Sequence, residues 1–528
     1  MGLKNKIVDR GKKVATSPAM MRFISDDRVM KAAEGVMDAR GRFTAAWDIL
    51  RNGHALPNID PALDDLPGDN GTHAVNGHVN GHAKNGSAKN GSAKQNGSRT
   101  AVTHTSNVKG SADLGESMRE RASLASIGGR DVFEKAYKFT AADNARKMGM
   151  YPFFRPLDFN DGPEAEIDGK RMVMFGSNNY LGLTTHPKVR DAAKAAIDRF
   201  GTSMTGSRLV NGSMKLHEEF EDKLAAWFGT EAALVFTTGY QVNIATLSAL
   251  LSNKSSVAVI DRNVHASLYD GVRLGQSAGA RMVRYRHNDA QSLDDRLSKL
   301  EDSEGALVVT DGVFSAEGEI ANLDQIVPIV KKHGARLFVD DAHALGVIGP
   351  EGKGTAAHFG LVDQVDLIGG TFSKSLASIG GWLVGERKVL DYVRHFAPSF
   401  MFAASAAPPS VAAAMAAFDV MREEPWRMEK LRENFTYMKT ELLKMGFELG
   451  KTETAVIPIY IRQDLRTLMM WRDLLEEHGV YTNPFISPGV PPKHAMLRTS
   501  YMATHDRAHL DRGLAAFRAV GKKYGVIS

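Results

Sequence analysis

The sequence predicts an α/β protein: a large unit built on a mostly parallel sheet, followed by a smaller C-terminal α/β unit. Three observations carry this. Between residues 171 and 395, short continuous apolar runs alternate with stretches of helical periodicity, the pattern of strands buried on both faces under covering helices. From residue 396 onward long helices dominate, with few strands between them. The chain has 528 residues, enough for two to four structural units.

Composition narrows the function classes. Apolar residues make up 43% of the chain and charged residues 24%, ordinary for a globular protein with a large core. The formal charge of +5 is small for this length, and the basic residues are scattered. A nucleic-acid partner is therefore not expected, whereas anionic small ligands are compatible. With no cysteine, disulfides, thiolate metal sites, a catalytic thiol and S-acyl anchors are excluded. No apolar run approaches the roughly 18 residues that span a bilayer. The charged start, Met1-Gly-Leu-Lys-Asn-Lys6, lacks the apolar core of a secretory signal, and Lys6 does not fit a myristoylation site. A cytoplasmic location is expected.

In chain order, residues 1–56 carry short amphipathic helices. Ser25 and Asp26 can cap the first, with Val29, Ala33, Val36 and Met37 on one face; Phe43, Trp47 and Leu50 share a face of the second, which Asn52-Gly53 stops. These helices suit packing on a partner or on the main body, with peripheral contact at an inner membrane surface as the alternative. Residues 57–108 repeat Asn-Gly, Ser and Ala-Lys. So little apolar material cannot offset the entropy of ordering, and a flexible tether is expected. His78 and His82 in it read as solvated polar residues, and no metal site is expected. Residues 109–170 lead into the main body, with a helix hinted by Val132, Ala136 and Phe139, then the extended strap Tyr151-Pro-Phe-Phe-Arg-Pro156.

Strands are predicted at 171–175, 232–237, 256–260, 281–285, 306–310, 337–340, 366–368 and 382–384, with helices such as 187–200, 216–228 and 323–333 between them. The C-terminal unit, 396–528, should carry helices near 409–421, 426–445 and 505–524, and strands near 455–461 and 496–501. In parallel sheets of this kind, ligands bind at the carboxyl ends of the strands.

The chemistry-bearing residues fall at those ends. Lys374 sits in a hydroxyl-rich turn, Gly370-Thr-Phe-Ser-Lys-Ser375, between two buried strands. Burial disfavours an ammonium ion, and a neutral amine is the form that makes a Schiff base; a surface lysine in a glycine-rich loop has the same pattern. Asp340 and Asp341 end one strand and must point to opposite faces. His343 can share the side of Asp340. Asp340 suits a buried cationic partner or a turn cap. His265, after another strand, can stack on a flat ring or be a structural histidine. Thr237-Thr-Gly239-Tyr240 opens a helix, where backbone N–H groups favour phosphate. The loop 201–213 can line an entrance or simply connect. A lysine, an acid, two histidines and a phosphate-type helix start are the parts that a pyridoxal phosphate site needs.

From about residue 130 to 525 the chain resembles the α-oxoamine synthases. These are fold-type I pyridoxal phosphate (PLP) transferases that condense an amino acid with an acyl-CoA and lose CO2. The segments that carry the resemblance are Ser177-Asn-Asn-Tyr-Leu-Gly-Leu183, Thr205-Gly-Ser-Arg-Leu-Val-Asn-Gly212, 261–267, Thr310-Asp-Gly-Val-Phe-Ser315, Val339-Asp-Asp-Ala-His-Ala-Leu-Gly346, 370–375 and Leu497-Arg-Thr-Ser500. The Thr-Gly-Ser-Arg segment and Ser373 before Lys374 favour the branch that uses serine and a long-chain acyl-CoA, because glycine-using relatives more often have Gly before the lysine.

The resemblance implies roles. Lys374 carries the cofactor, Asp340 pairs with its pyridine nitrogen, His343 donates to its 3-hydroxyl and His265 stacks on the ring. Gly239, Tyr240, Thr371 and Ser373 serve its phosphate, while Arg498 and Asn178 serve the amino acid substrate. It also implies a homodimer with the site at the subunit interface. Two features depart from the family. Where relatives place a hydroxyl just before a Pro-Pro pair, this chain reads Phe402-Ala-Ala-Ser-Ala-Ala-Pro-Pro409, with Ser405 the nearest hydroxyl. The loop at 483–492 lacks an arginine that some bacterial relatives carry.

Overall fold

The computed structural model of the protein describes residues 130–528 apart from 488 and 492. The helices expected within 1–56 and the tether expected at 57–108 lie outside the described residues. Residues 130–142 group separately from 143–528 and carry a short helix, Glu134–Tyr137, within the stretch where one was hinted.

Three sheets organise residues 143–528. The first holds β1 (Phe159–Asn160), β2 (Glu164–Ile167) and β3 (Lys170–Met174). Strands β2 and β3 form a hairpin in which Ile167 faces Lys170. Its two turn residues, Asp168 and Gly169, both have positive φ (52° and 72°), the requirement of the two-residue turn that matches strand twist.

The second sheet is the body of the molecule. It comprises β4 (Ala232–Phe236), β5 (Ser256–Asp261), β6 (Arg281–Tyr285), β7 (Gly305–Asp311), β8 (Arg336–Asp340), β9 (Leu367–Thr371) and β10 (Gly381–Gly385), in the spatial order β4-β10-β9-β8-β7-β5-β6. Strands β5 to β9 pair in parallel, while β10 runs antiparallel to both β9 and β4. Every residue of β5, β9 and β10 is buried, as continuous apolar runs require when both faces are covered. The third sheet contains β11 (Val456–Tyr460), β13 (Asn483–Phe485) and β14 (Met496–Ser500), ordered β11-β14-β13; β12 (Val480–Tyr481) instead joins the first sheet beside β3.

The strand expected at 171–175 thus does not enter the large sheet. It is β3, bonded to β2 and, in parallel, to β12 from the C-terminal part of the chain. Its buried apolar run resembles the others, and only its pairing partners set it apart.

Among the described residues, the helices of eight residues or more are α1 (Pro187–Phe200), α2 (Lys215–Phe228), α3 (Gly239–Leu250), α4 (Ala266–Ser277), α5 (Ala290–Leu297), α6 (Leu323–Lys332), α7 (Arg387–Phe396), α8 (Pro408–Glu423), α9 (Trp426–Lys444), α10 (Asp464–Glu476) and α11 (Arg507–Lys523). Helix α3 lies close against β10. A Cβ on Gly381 would stand 2.5 Å from Val242 Cγ2, so only glycine allows that approach. No helix among the described residues is long and apolar enough to cross a membrane.

Candidate active site

Strand ends β7, β8 and β9, the loop after β5 and the start of α3 converge on one cavity of about 310 Å³. Asp340, the last residue of β8, lines it. Its Oδ2 accepts a 2.6 Å hydrogen bond from Asn243 Nδ2 and its Oδ1 accepts from the Ala342 amide at 3.0 Å. Asp341 turns to the other side, as strand alternation demands. It accepts from the Thr355 amide at 2.8 Å, and burial pushes its carboxyl up to about 7.

His343 also lines the cavity. The Tyr180 hydroxyl stands 2.7 Å from its Nδ1. Burial, then the neighbouring Lys374 charge, holds His343 well below the ordinary imidazole range. Burial pushes Tyr180 upward. The tyrosine therefore keeps its single proton, which points either to Nδ1 of the neutral imidazole or to Asn178 Oδ1 at 3.4 Å.

Lys374 follows β9 in a half-buried turn of the cavity wall. Burial lowers its amine to about 8, against the opposing pull of Asp340. Beside it, Thr371 Oγ1 lies 2.8 Å from Ser373 Oγ and donates to the Gly380 carbonyl at 2.9 Å. Facing these hydroxyls is the first turn of α3. Its cap, Thr238, accepts from the Gln241 amide at 3.0 Å. The amides of Gly239 and Tyr240, at the helix start, have no partner within the helix. A Cβ on Gly239 would meet Thr371 Cβ at 2.6 Å, so glycine lets the helix start reach the hydroxyls.

His265 caps α4. Its backbone amide donates to Asp311 Oδ1 at 3.2 Å, and its ring crosses Tyr240 edge-on with centroids 6.1 Å apart. Asp311, at the end of β7, is pushed well above the ordinary carboxylate range by burial, then by the charge of Asp340.

All eight residues expected to touch the cofactor, Lys374, Asp340, His343, His265, Gly239, Tyr240, Thr371 and Ser373, line this one cavity. Arg498 and Asn178 do not. Buried Arg498 donates to the Ser315 carbonyl (2.7 Å), Ser500 Oγ (2.8 Å) and Asn178 Oδ1 (3.0 Å). Asn178 Oδ1 also lies 3.4 Å from the Tyr180 hydroxyl, so these two residues reach the cavity through Tyr180 and His343. Ser405 does not line it; its amide donates to the Gly206 carbonyl at 3.0 Å. Arg208, from the loop that could have formed an entrance, turns inward to Glu221 at 2.9 Å.

Sequence reasoning assigned no role to Asp311, Asn243, Ser267 and Tyr180. Asp311 ends an apolar strand just as Asp340 does, and that signal was readable. Asn243 and Ser267 sit within helices, where nothing in the spacing marks them.

The donor set fits pyridoxal phosphate: a lysine with a lowered pKa for the aldehyde, a carboxylate for the pyridine nitrogen, a neutral imidazole for the 3-hydroxyl, and two hydroxyls facing a helix start for the phosphate. Among the described residues, no group of three or more His, Asp or Glu is arranged to hold a metal ion.

Comparison with known proteins agrees. The family described as aminotransferase class I and II matches residues 170–517. A serine palmitoyltransferase of Sphingobacterium spiritivorum is 44% identical over 390 residues, 74% of this chain and 96% of that protein. One of Bacteriovorax stolpii is 42% identical over 77% of this chain and 96% of that protein. An 8-amino-7-oxononanoate synthase of Thermoanaerobacter pseudethanolicus is 37% identical over 73% and 96%. Among solved structures, serine palmitoyltransferase of S. paucimobilis with a bound PLP–myriocin aldimine superposes with a TM-score of 0.72 at 36% identity, covering 75% of this chain and 100% of that one. Sphingomonas wittichii serine palmitoyltransferase gives 0.71 at 34% identity, covering 76% and 100%.

Proposed function

The chain belongs to the class I and II aminotransferase family, in its α-oxoamine synthase branch of pyridoxal phosphate enzymes, and from that premise we propose that it acts as a serine palmitoyltransferase. The reaction joins L-serine to a long-chain acyl-CoA, releases CoA and CO2, and yields 3-ketosphinganine, the opening step of sphingolipid synthesis. The observation that carries this reading is the enclosure of Lys374, its amine lowered to about 8, in one cavity with Asp340, His343 and His265.

Pyridoxal phosphate, when bound, supplies an electron-withdrawing ring that acidifies the amino acid Cα–H. Asp340, fixed by Asn243 and the Ala342 amide, would pair with the pyridine nitrogen. His343, on the same cavity, would hydrogen-bond the 3-hydroxyl. The Gly239 and Tyr240 amides with the Thr371 and Ser373 hydroxyls would hold the phosphate. Neutral Lys374 Nζ takes the Cα proton and later returns it. His265 covers one face of the site and polarises the thioester carbonyl as CoA leaves. The family resemblance gives the serine carboxylate to Arg498, which requires the wall at Tyr180 and His343 to open to it and Arg498 to release Asn178. The active protein is a homodimer with the site at the interface, as the family resemblance implies.

Purified protein loaded with pyridoxal phosphate is given a panel of amino acids and acyl-CoAs. CoA release is followed with a thiol reagent and products are weighed by mass spectrometry. The chain has no cysteine, so the protein adds no background. Serine with a long-chain acyl-CoA is expected to give the most product, and Lys374→Ala is expected to lose roughly 10²- to 10⁴-fold or more. Preference for another amino acid moves the chain to an 8-amino-7-oxononanoate synthase or 2-amino-3-ketobutyrate CoA ligase type. Amino transfer without CoA release marks an aminotransferase. Normal condensation by Lys374→Ala sinks the lysine assignment.

A further inference from the structure

Asn243 and Ser267 join two groups that the reaction uses separately. Both are almost wholly buried, at 3% and 0% exposure, and both line the cavity. Asn243 Nδ2 lies 2.6 Å from Asp340 Oδ2 and 2.8 Å from Ser267 Oγ. Ser267 Oγ lies 2.6 Å from His265 Nδ1, and the Ser267 amide donates to the same nitrogen at 3.3 Å. A continuous path therefore runs from the β8 carboxylate to the imidazole that caps α4.

The direction of each bond follows from valence. The Asn243 atom facing Asp340 must be the amide nitrogen, because an amide oxygen 2.6 Å from a carboxylate oxygen would set two acceptors against each other. That NH2 has two hydrogens and spends one on each partner. Ser267 Oγ thus accepts from Asn243, and its single hydrogen is left for His265 Nδ1. The Ser267 N–H, which can only donate, approaches that same nitrogen. Nδ1 is therefore an acceptor, and the one proton of the neutral ring is on Nε2.

We propose that Asn243 and Ser267 are positioning residues which use the fixed carboxylate of Asp340 to lock His265 as its Nε2–H tautomer. The ring then presents a donor from Nε2, suited to an acceptor oxygen of the substrate such as the thioester carbonyl. It does not present a base there, so proton removal from Cα falls to Lys374. The consequence for catalysis rests on the condensation reading above; the tautomer itself does not.

The test is nitrogen NMR of cofactor-free protein labelled with 15N-histidine. The His265 signals are those lost in His265→Gln. The wild type is expected to show a bare Nδ1 and a protonated Nε2. In Ser267→Ala and Asn243→Ala the ring should populate both tautomers, and the loaded variants should lose about 10- to 100-fold in kcat for CoA release. A proton on Nδ1 in the wild type overturns the proposal, and that measurement needs no variant to fold. Two variants that both keep the wild-type tautomer overturn the role of the pair. The spectrum is read without cofactor or substrate. Absence of CoA release would therefore end the condensation reading alone, and a reversed tautomer would end this proposal alone.

Discussion

Lys374 takes its chemistry from where the chain puts it. A lysine in water is protonated to about 10.5; in this turn burial brings the amine to about 8, although Asp340 pulls the other way and Arg498 pushes it down. Desolvation is the larger of the two effects, so the net shift is downward. The neutral amine is the reactive form, so its fraction grows with pH and levels off above about 8. Uptake of pyridoxal phosphate by cofactor-free protein, followed by absorbance, should speed up about tenfold per pH unit below that value and flatten above it. A ramp continuing to pH 10 would mean that the amine is solvated. The turn around Lys374 was conspicuous in the sequence because glycines and hydroxyls surround one lysine. Asn243 was not, since one amide within a helix has no pattern of its own until Asp340 is seen beside it.

Elements decide which side chains share a face. The end of β8 sends Asp340 to the cavity and Asp341 behind it, a consequence of strand geometry readable from two adjacent letters. Asp341 rises from an ordinary 3.8 to about 7. Its folded form therefore binds a proton that the unfolded chain has lost, and this stabilisation is full below about pH 4 and disappears as pH rises through 7. Asp341→Asn cannot ionise. Its stability relative to wild type in urea should improve between pH 5 and pH 8, by at most on the order of 3 kcal/mol, and a pH-independent difference would refute the shift. Helix α3 makes a second case. Gly239→Ala would drive a Cβ to 2.6 Å from Thr371 Cβ and part the helix start from the hydroxyls. The strain should be about 1–3 kcal/mol, read as weaker binding of pyridoxal phosphate in equilibrium titration; unaltered affinity would show that the phosphate is held elsewhere.

At the scale of the molecule, residues far apart in the chain are brought together. Arg498 on β14 bonds Asn178 across 320 positions, and β12 pairs with β3. The family match begins at residue 170, so a chain lacking residues 1–110 should keep its turnover in the CoA-release assay and lose any membrane or partner association that residues 1–56 provide. A large fall in kcat would instead make that segment part of the enzyme. The sequence by itself determined the α/β class, the alternation of buried strands with helices, and the set of residues at strand ends. It could do so because apolar periodicity and turn chemistry are local. Only the tertiary structure decided that 171–175 joins a separate sheet, that Arg208 is spent on Glu221 within the body, and that Arg498 and Asn178 stand behind the cavity wall. It alone brought Asn243 and Ser267 between Asp340 and His265. Each of those depends on a partner distant in the chain, and a pairing energy between two distant residues is written in neither one's neighbourhood.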